Sequence, residues 1–317
     1  MSERIGVVMA TFNGERYLEE QLESILNQSV SPARVVIVDD GSTDRTGEIL
    51  CDYARQDGRI AVYPGGVNLG WIKNFERGIV LCDTELIALA DQDDVWRPDK
   101  LEACLSRMSA DPRCGLCYHD AGLVHADGRP LGFTLWEMSA DKYPLSVESA
   151  RAILLDTRSP LAGFTLVFSR ELKNMILPFP GDRVCAHDWW ISAVAFFLYA
   201  PSAIAQPLVD HRIHGDQTIG DVAGRLRGTR QGIKKSIFSL ERIKRNVRRE
   251  FRNLFQRKKI IRQRAEDRVR RREEFADAFL RLAELVAANK QADNIEQAGI
   301  IKTLIAKREE LLKDIFV

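Results

Sequence analysis

The 317-residue sequence lacks several features that mark particular classes of protein. Its six cysteines are scattered, and Cys114 and Cys117 form the single close pair, so we expect buried thiols and not a zinc site. The apolar run near the start meets polar residues too soon for a signal peptide, which favours a cytoplasmic location. Repeats at solenoid periods and low-complexity tracts are also absent from the sequence.

Long hydrophobic runs are scarce, and only residues 189–209 are apolar for long enough to be tested as a membrane span. Pro201 and Pro207 would interrupt such a span. The part that ends near Tyr199 fits a buried helix. We therefore predict a core helix followed by a strand.

The net charge of +1 conceals an uneven distribution. Residues 225–272 carry 20 Lys or Arg against four Asp or Glu, so the remainder of the chain is acidic. From Ile233 onward apolar residues recur at three- and four-residue steps, which predicts a basic amphipathic helix. We expect a domain over 1–220 and a basic helical extension over 221–317.

Such an arm suggests an anionic partner. We favour the inner face of the cell membrane, where the arm would dock peripherally, over a nucleic acid. The alternative is that its apolar stripe packs on the rest of the protein or on another helix, including a helix of a second copy.

Four apolar runs, separated by segments of helical periodicity, occupy residues 5–9, 35–38, 60–63 and 86–90. This alternation predicts a Rossmann-like α/β fold with a mainly parallel sheet and crossover helices. Ligands of such sheets bind at the carboxyl ends of the strands. Here the segments "TFNG", "DDGSTD" and "DQDD" follow three of the runs, so we predict a nucleotide site at that edge.

The segment "DQDD" places Asp91, Asp93 and Asp94 at the end of one strand. Three neighbouring carboxylates repel one another, so we expect a metal ion or a cation-carrying ligand to offset that repulsion. For Asp94 and Asp99 the alternative is a role at the start of a helix around Pro98.

Six motifs in order resemble those of the inverting family-two glycosyltransferases, which have the A-type nucleotide-sugar fold: "MATFNGERYLEEQLESILNQS", "VVIVDDGSTDRT", "NLGWIKNFERGI", "ALADQDDVWRPDKL", "HDWW" and "HRIHGDQTIG". The resemblance covers roughly residues 4–220. The third and fourth motifs resemble rhamnosyltransferase-like members that build lipopolysaccharide or capsule. This likeness implies a nucleoside-diphosphate sugar donor, either dTDP-rhamnose or a UDP-hexose.

The resemblance implies donor-binding roles for residues of the first three motifs. Asp40 would accept a hydrogen bond from the ring nitrogen of a uracil or thymine, and Thr11 and Asn13 would line the same pocket. Asn68 and Lys73 would provide contacts on the base and phosphate sides. The alternatives are a strand-end turn and helix cap after Asp40 and a solvated helix position for Lys73.

The resemblance also implies a divalent cofactor, Mn²⁺ or Mg²⁺. Asp93 would bind it directly, and Asp91 would lie nearer the ribose or a metal-bound water. Arg212 and His214 would lie near the diphosphate, with His214 as a candidate metal ligand. A structural histidine after a strand is the alternative.

An inverting transfer needs a carboxylate that takes the proton of the acceptor hydroxyl. Asp188 occupies the position of the family's catalytic aspartate. The sequence departs from the family pattern at His187, where Glu is commoner, and at Ala10, where Pro is usual. Trp189 and Trp190 either stack on an acceptor sugar or belong to the core.

The Gln-x-x-Arg-Trp motif of processive synthases is absent after Asp188, which favours transfer of one sugar to a saccharide or lipid-linked acceptor. One alternative is a sugar nucleotidyltransferase, but the Gly-rich basic loop expected after the first strand is missing. The other is a nucleic-acid-binding module with a vestigial sugar site. The intact Asp91, Asp93 and Asp188 argue against it.

Overall fold

The computed structural model describes residues 4–111, 113–139, 141–155, 159–179 and 186–215. The predicted basic extension and the predicted boundary at residue 220 lie outside these ranges and stay predictions. Within them the strands are β1 (Ile5–Thr11), β2 (Arg34–Asp39), β3 (Ile60–Pro64), β4 (Leu86–Ala90), β5 (Val95–Trp96), β6 (Leu116–His125), β7 (Pro130–Thr134), β8 (Leu166–Ser169) and β9 (Ser202–Ile213).

The first three helices alternate with the first four strands, as the sequence predicts. They are α1 (Leu18–Leu26), α2 (Thr46–Gln56), α3 (Trp71–Leu81), α4 (Lys100–Ala110), α5 (Leu135–Met138), α6 (Val147–Leu155), α7 (Arg170–Ile176) and α8 (His187–Leu198). A 3₁₀ turn, Gly163–Thr165, leads into β8.

The described strands form one sheet in the order β3-β2-β1-β4-β8-β6-β9-β5, and β7 pairs with β6. The four strands predicted from the sequence pair in parallel, which confirms the α/β fold. The other half is mixed, because β8 runs antiparallel to both β4 and β6, whereas β9 runs parallel to β6. Strands β1, β2, β4, β6 and β9 consequently end at the same edge.

Apolar burial holds this sheet between its helices. Every residue of β4 is buried, and α1 turns Leu18, Leu22 and Ile25 into the core. Truncating one such leucine to alanine typically costs about 2–5 kcal/mol. Helix α3 approaches β1 closely because residue 78 is glycine: a Cβ there would lie 2.5 Å from the Val8 Cγ1. This close contact sets the distance between α3 and β1.

The stretch tested as a membrane span folds as α8 and β9, which confirms the predicted helix and strand. Among the described residues, no helix combines the length and the apolar character needed to cross a bilayer. Trp189 and Trp190 are 1% and 4% exposed, and their indole N–H groups donate to the carbonyls of Leu154 and Ile176. Both tryptophans are core residues, so the acceptor-stacking role considered for them is wrong. Cys114 and Cys117 are buried, as predicted.

Candidate active site

Hydrogen bonds join the loops that follow β1 and β2. The Asp39 carboxylate accepts from the Thr11 hydroxyl at 3.0 Å and from the Ser42 backbone N–H at 2.9 Å. Asn13, at a φ of 49°, accepts at its side-chain oxygen from the Thr43 N–H at 2.9 Å. Thr11 and Asn13 therefore lie together, as predicted, in a pair of loops joined by hydrogen bonds. Their contact with a base stays a prediction.

Asp40 joins this loop pair to the segment before α3. Its two carboxylate oxygens accept from the backbone N–H groups of Leu69 and Gly70, at 2.7 and 2.8 Å. The Asn68 side-chain oxygen accepts from the same Gly70 N–H at 3.1 Å. The structure thus brings Asp40 and Asn68 to one place. Because each carboxylate oxygen has more than one acceptor site, these bonds leave room for a donor from a base.

Gln92 ties the end of β4 to the loop after β1, a function that the sequence did not reveal. Its side-chain oxygen accepts from the Phe12 N–H at 2.8 Å, and its amide nitrogen donates to the Phe12 carbonyl at 3.1 Å. Gly14 passes so close that a Cβ there would lie 2.4 Å from the Gln92 Oε1. The signal available in the sequence was the position of Gln92 between two aspartates.

The carboxylates of Asp91, Asp93 and Asp94 converge, since one oxygen of each lies within 4.8 Å of the others. The Asp93 Oδ2 lies 2.9 Å from the His214 Nε2, so the two predicted metal ligands are neighbours. Burial, followed by the charges of Asp94 and Asp93, holds the pKa of Asp91 well above its usual value. Burial and the charge of Asp94 also raise the pKa of Asp93. This cluster is therefore short of positive charge.

Asp94 is fully buried and does not start a helix, so that interpretation was wrong. Its Oδ1 lies 2.7 Å from the His211 Nδ1, and its Oδ2 has no hydrogen-bond partner among the described residues. Burial disfavours a charged His211, but the charge of Asp94 and the hydrogen bond to it prevail and raise the pKa of His211 to about 9. Asp99, in contrast, is the N-cap of α4, as predicted.

This set of side chains fits a divalent cation. Carboxylate oxygens suit Mg²⁺ and Mn²⁺, an imidazole nitrogen is a further ligand type for transition metals, and a buried carboxylate oxygen without a partner needs a positive neighbour. Asp91, Asp93 and His214 would hold the ion. A bound ion would neutralise the charge that develops on a diphosphate leaving group.

Arg212 is 3% exposed and contacts two loops and helix α1. Its Nε donates to the Asp93 carbonyl at 3.0 Å, its Nη1 to the Ala126 carbonyl at 3.2 Å, and its Nη2 to the Glu20 carboxylate at 2.6 Å. The guanidinium also lies 4.6 Å from the centre of the Tyr17 ring. These contacts position the loop that carries Asp93. The predicted contact of Arg212 with the diphosphate stays a prediction.

Two lysines differ in their surroundings. Lys73 forms a half-exposed ion pair with Glu76 at 2.7 Å, which fits the alternative of a solvated helix position. Lys100 is fully buried, donates to the Phe164 carbonyl at 2.8 Å and lies 3.5 Å from the Trp96 ring. Burial lowers the pKa of Lys100 to about 7, although nearby acidic groups partly oppose that shift. Nothing in the sequence distinguishes Lys100 from an ordinary lysine at a helix start.

Asp188 lies in the first turn of α8, where the partial positive charge of the helix start favours an ionised carboxylate. Its Oδ1 accepts from the Trp189 backbone N–H at 2.6 Å. The charge of Asp188 contributes to the raised pKa of Asp91, so the two carboxylates lie within electrostatic range. A predicted general base and a predicted metal cluster therefore belong to the same site.

This geometry agrees with comparisons to known proteins. The family model "Glycosyl transferase family 2" matches residues 6–149. An uncharacterized glycosyltransferase of Haemophilus influenzae is 31% identical over 216 residues, which are 68% of this chain and 67% of that protein. The chain belongs to glycosyltransferase family 2. A sugar nucleotidyltransferase and a nucleic-acid-binding module are thereby set aside as its primary identity.

Two further proteins similar to this glycosyltransferase have informative names. The putative teichuronic acid biosynthesis glycosyltransferase TuaG of Bacillus subtilis is 33% identical over 127 residues, 40% of this chain and 50% of that protein. The S. aureus TarS 1–349 structure in complex with UDP-GlcNAc has a TM-score of 0.55 at 20% identity, over 68% of this chain and 60% of that one. It supports the A-type fold. The chain spans about half to two thirds of the length of the curated relatives that it matches.

Proposed function

We propose that this glycosyltransferase moves one sugar from a nucleoside-diphosphate sugar to a saccharide or lipid-linked acceptor in the synthesis of a cell-surface polysaccharide. The observation that carries the proposal is the cluster of Asp91, Asp93 and Asp94 at a strand end, within electrostatic range of Asp188. The name of TuaG supports the polysaccharide, and the UDP-GlcNAc bound to TarS supports a UDP-sugar as donor. A rhamnosyltransferase that uses dTDP-rhamnose is the second donor class we propose.

In this mechanism the loops after β1 and β2 bind the nucleotide. Asp40 accepts a hydrogen bond from the ring nitrogen of the base, while Thr11, Asn13 and Asn68 shape the pocket around it. Lys73 and Arg212 face the diphosphate side. A purine base presents a different edge, so a GDP-sugar should be a poor donor.

Asp188 acts as the general base. Its carboxylate takes the proton of the acceptor hydroxyl as that oxygen attacks the anomeric carbon on the face opposite the diphosphate. The anomeric configuration is consequently inverted. Asp91, Asp93 and His214 would hold a divalent cation, and such an ion would supply positive charge on the side of the leaving diphosphate.

A donor panel tests the proposal. The protein is incubated with UDP-glucose, UDP-GlcNAc, dTDP-rhamnose and GDP-mannose, with Mn²⁺ or with excess EDTA, and release of nucleoside diphosphate is measured. We expect release from at least one pyrimidine donor, no release from GDP-mannose and strong dependence on the metal. Undiminished turnover in EDTA would contradict the role of the acidic cluster, and preference for GDP-mannose would contradict the role of Asp40.

The basic segment 225–272 supports a second element of the proposal, namely docking on the inner face of the membrane, where a lipid-linked acceptor is presented. Its surplus of positive charge is drawn to anionic lipid at about 1 kcal/mol per well-placed base. The full-length protein should co-sediment with anionic vesicles at low salt and dissociate at high salt, because salt screens the attraction. Equal sedimentation with neutral vesicles would contradict this docking.

A further inference from the structure

The ring of His187 occupies a closed aromatic slot at the start of α8. The side chain is buried, with 6% of the residue exposed. The imidazole stacks on the Phe75 ring at 4.1 Å between centroids and 20° between planes, and it meets the Trp71 ring edge-on at 5.2 Å. Both aromatic partners belong to α3. The slot therefore joins the first turn of α8 to α3.

Gly163 closes the slot on another side. A Cβ at residue 163 would lie 2.5 Å from the His187 Nε2 and 3.1 Å from its Cε1, so a side chain larger than hydrogen does not fit. Gly163 opens the 3₁₀ turn whose next residue, Phe164, stacks on His211 at 4.3 Å and accepts from Lys100. The same turn thus touches the slot and the charged groups behind the acidic cluster.

The ring nitrogens of His187 make no hydrogen bonds within the part of the chain that the structure describes. Both nitrogens are shielded from solvent. Burial alone lowers the pKa of His187 to about 3, so the ring is neutral at physiological pH. An imidazole that is uncharged and has no hydrogen-bond partner among the described residues contributes its shape and its aromatic surface, not proton transfer.

We propose that His187 is a positioning residue whose ring works as a neutral wedge, with Gly163 as its required counterpart. The wedge fixes the first turn of α8 against α3 and the 3₁₀ turn, and so holds the adjacent Asp188 at the distance from the donor that transfer requires. The inference rests on the proposed role of Asp188 as the base. It gives a reason for the departure from the commoner Glu-Asp pair, since this slot provides stacking surfaces where a carboxylate would need hydrogen-bond donors.

The competing role for His187 is chemical, as a proton relay or a hydrogen-bond partner of the acceptor. The two roles differ in what a substitution must preserve. A wedge needs volume that fits between Phe75, Trp71 and Gly163, whereas a relay needs a ring nitrogen. Methionine supplies adaptable apolar volume without a nitrogen, and alanine supplies neither.

The test compares transfer by the variants His187→Met, His187→Ala and His187→Phe, with kcat, donor KM and donor Kd measured for each. We expect His187→Met to keep kcat within roughly threefold and to keep the pH profile of kcat. His187→Ala should lower kcat by roughly 10- to 100-fold with little change in donor Kd, because small displacements of a catalytic group cost rate and not binding. His187→Phe, whose longer ring would press on Gly163, should fall between them.

The substitution Gly163→Ala tests the other side of the contact with His187. It should lower kcat in the wild-type background, since the new methyl group displaces the ring. In His187→Ala the space is free, so adding Gly163→Ala should have little further effect, a non-additivity expected only of residues in contact. Fully additive effects would overturn the pairing of Gly163 with His187.

Three further outcomes are decisive. If His187→Met is folded, as judged by circular dichroism and donor Kd, yet loses as much kcat as His187→Ala, a ring nitrogen is needed and the wedge is wrong. If His187→Ala keeps the wild-type kcat, no positioning role exists. Asp188→Asn, measured alongside, separates the two proposals: wild-type transfer by that variant removes Asp188 as the base, whatever the His187 variants do.

Discussion

The acidic cluster and the start of α8 hold their carboxylates by different means. Asp93 lies within hydrogen-bond distance of His214, the residue that follows β9. Asp94 lies within hydrogen-bond distance of His211, which belongs to β9. The turn that carries Asp188 is instead fixed by the aromatic packing around its neighbour His187. Charged groups thus organise the side that would bind metal and diphosphate, and apolar contacts organise the side that would bind the acceptor.

This contrast has an energetic basis. Concentrated negative charge costs free energy until a cation arrives, so the cluster needs fixed partners that hold it in the binding geometry. A general base needs an environment that leaves its proton affinity near the working pH. The aromatic packing around His187 adds no permanent counter-charge beside Asp188.

The largest effect should come from the base. Asp188→Asn keeps the size of the side chain and removes its proton affinity, so transfer should fall by roughly 10²- to 10⁴-fold while donor Kd stays within a few-fold. The measurement is product formation with saturating donor. The control is Asp127→Asn, which changes an exposed carboxylate paired with Arg129. If Asp188→Asn transfers at the wild-type rate, another residue is the base.

The metal side should respond differently, through binding as well as rate. Asp93→Asn should weaken Mn²⁺ binding and lower turnover by roughly 10²-fold, because a bound metal ion stabilises the charge of the transition state by several kcal/mol. Calorimetric titration with Mn²⁺ alone measures the first effect. Asp52→Asn, at an exposed surface pair, is the control. Unaltered Mn²⁺ affinity in Asp93→Asn would show that the ligands lie elsewhere.

Substituting Arg212 tests whether its main role is to stabilise the fold or to contact the substrate. Removing a buried guanidinium that donates to two carbonyls should destabilise the protein by about 1–3 kcal/mol for each carbonyl left unsatisfied, so Arg212→Gln should melt below the wild type. The control Arg55→Gln loses an ion pair in which the arginine is 76% exposed and should change little. A wild-type melting temperature for Arg212→Gln, with a raised donor KM, would favour the diphosphate role.

The pH dependence of stability should report the pair of Asp94 and His211. The folded pKa of His211, about 9, lies above the unfolded value of about 6.5. Its stabilisation is therefore complete below pH 6.5 and is lost as pH rises through 9, a contribution on the order of 3 kcal/mol. Urea denaturation of the wild type and of His211→Asn, in EDTA at pH 6 and pH 9, measures it as the difference between the two proteins, because Lys100, whose pKa is lowered to about 7, titrates in the same range with the opposite sign. Equal pH dependence of the two proteins would contradict the assignment.

The smallest effect belongs to Lys73. Its ion pair with Glu76 is half exposed, and such pairs are worth about 0.5 kcal/mol or less, so Lys73→Met should leave the free energy of unfolding nearly unchanged. A change in donor KM would then report on the proposed phosphate contact, because the variant is as stable as the wild type. A rise in KM supports that contact, and an unchanged KM leaves Lys73 as a surface residue.

Local sequence patterns were sufficient to predict the parallel half of the sheet, because its strands are short apolar runs that end in polar residues. The resemblance to the family, and not a local pattern, singled out His214 as a partner of the same site as Asp93, and the structure places the two side chains 2.9 Å apart. Neither the patterns nor the resemblance predicted that Asp94 would pair with His211, 117 residues away. Nor did they predict that Lys100 would be buried. Such contacts arise from tertiary packing, and no periodicity or spacing within a segment encodes them.

The position of β9 in the chain determines when, during synthesis, the loop that carries Asp93 can acquire its partners. Arg212 and His214 reach back about 120 residues to the loop that carries Asp93, so synthesis must pass β9 before that loop acquires these partners. A nascent chain that has reached Asp94 already carries the loops after β1 and β2, together with an unbalanced group of carboxylates. Competence to hold a cation through these residues would therefore arise only after β9 and His214 have been synthesised.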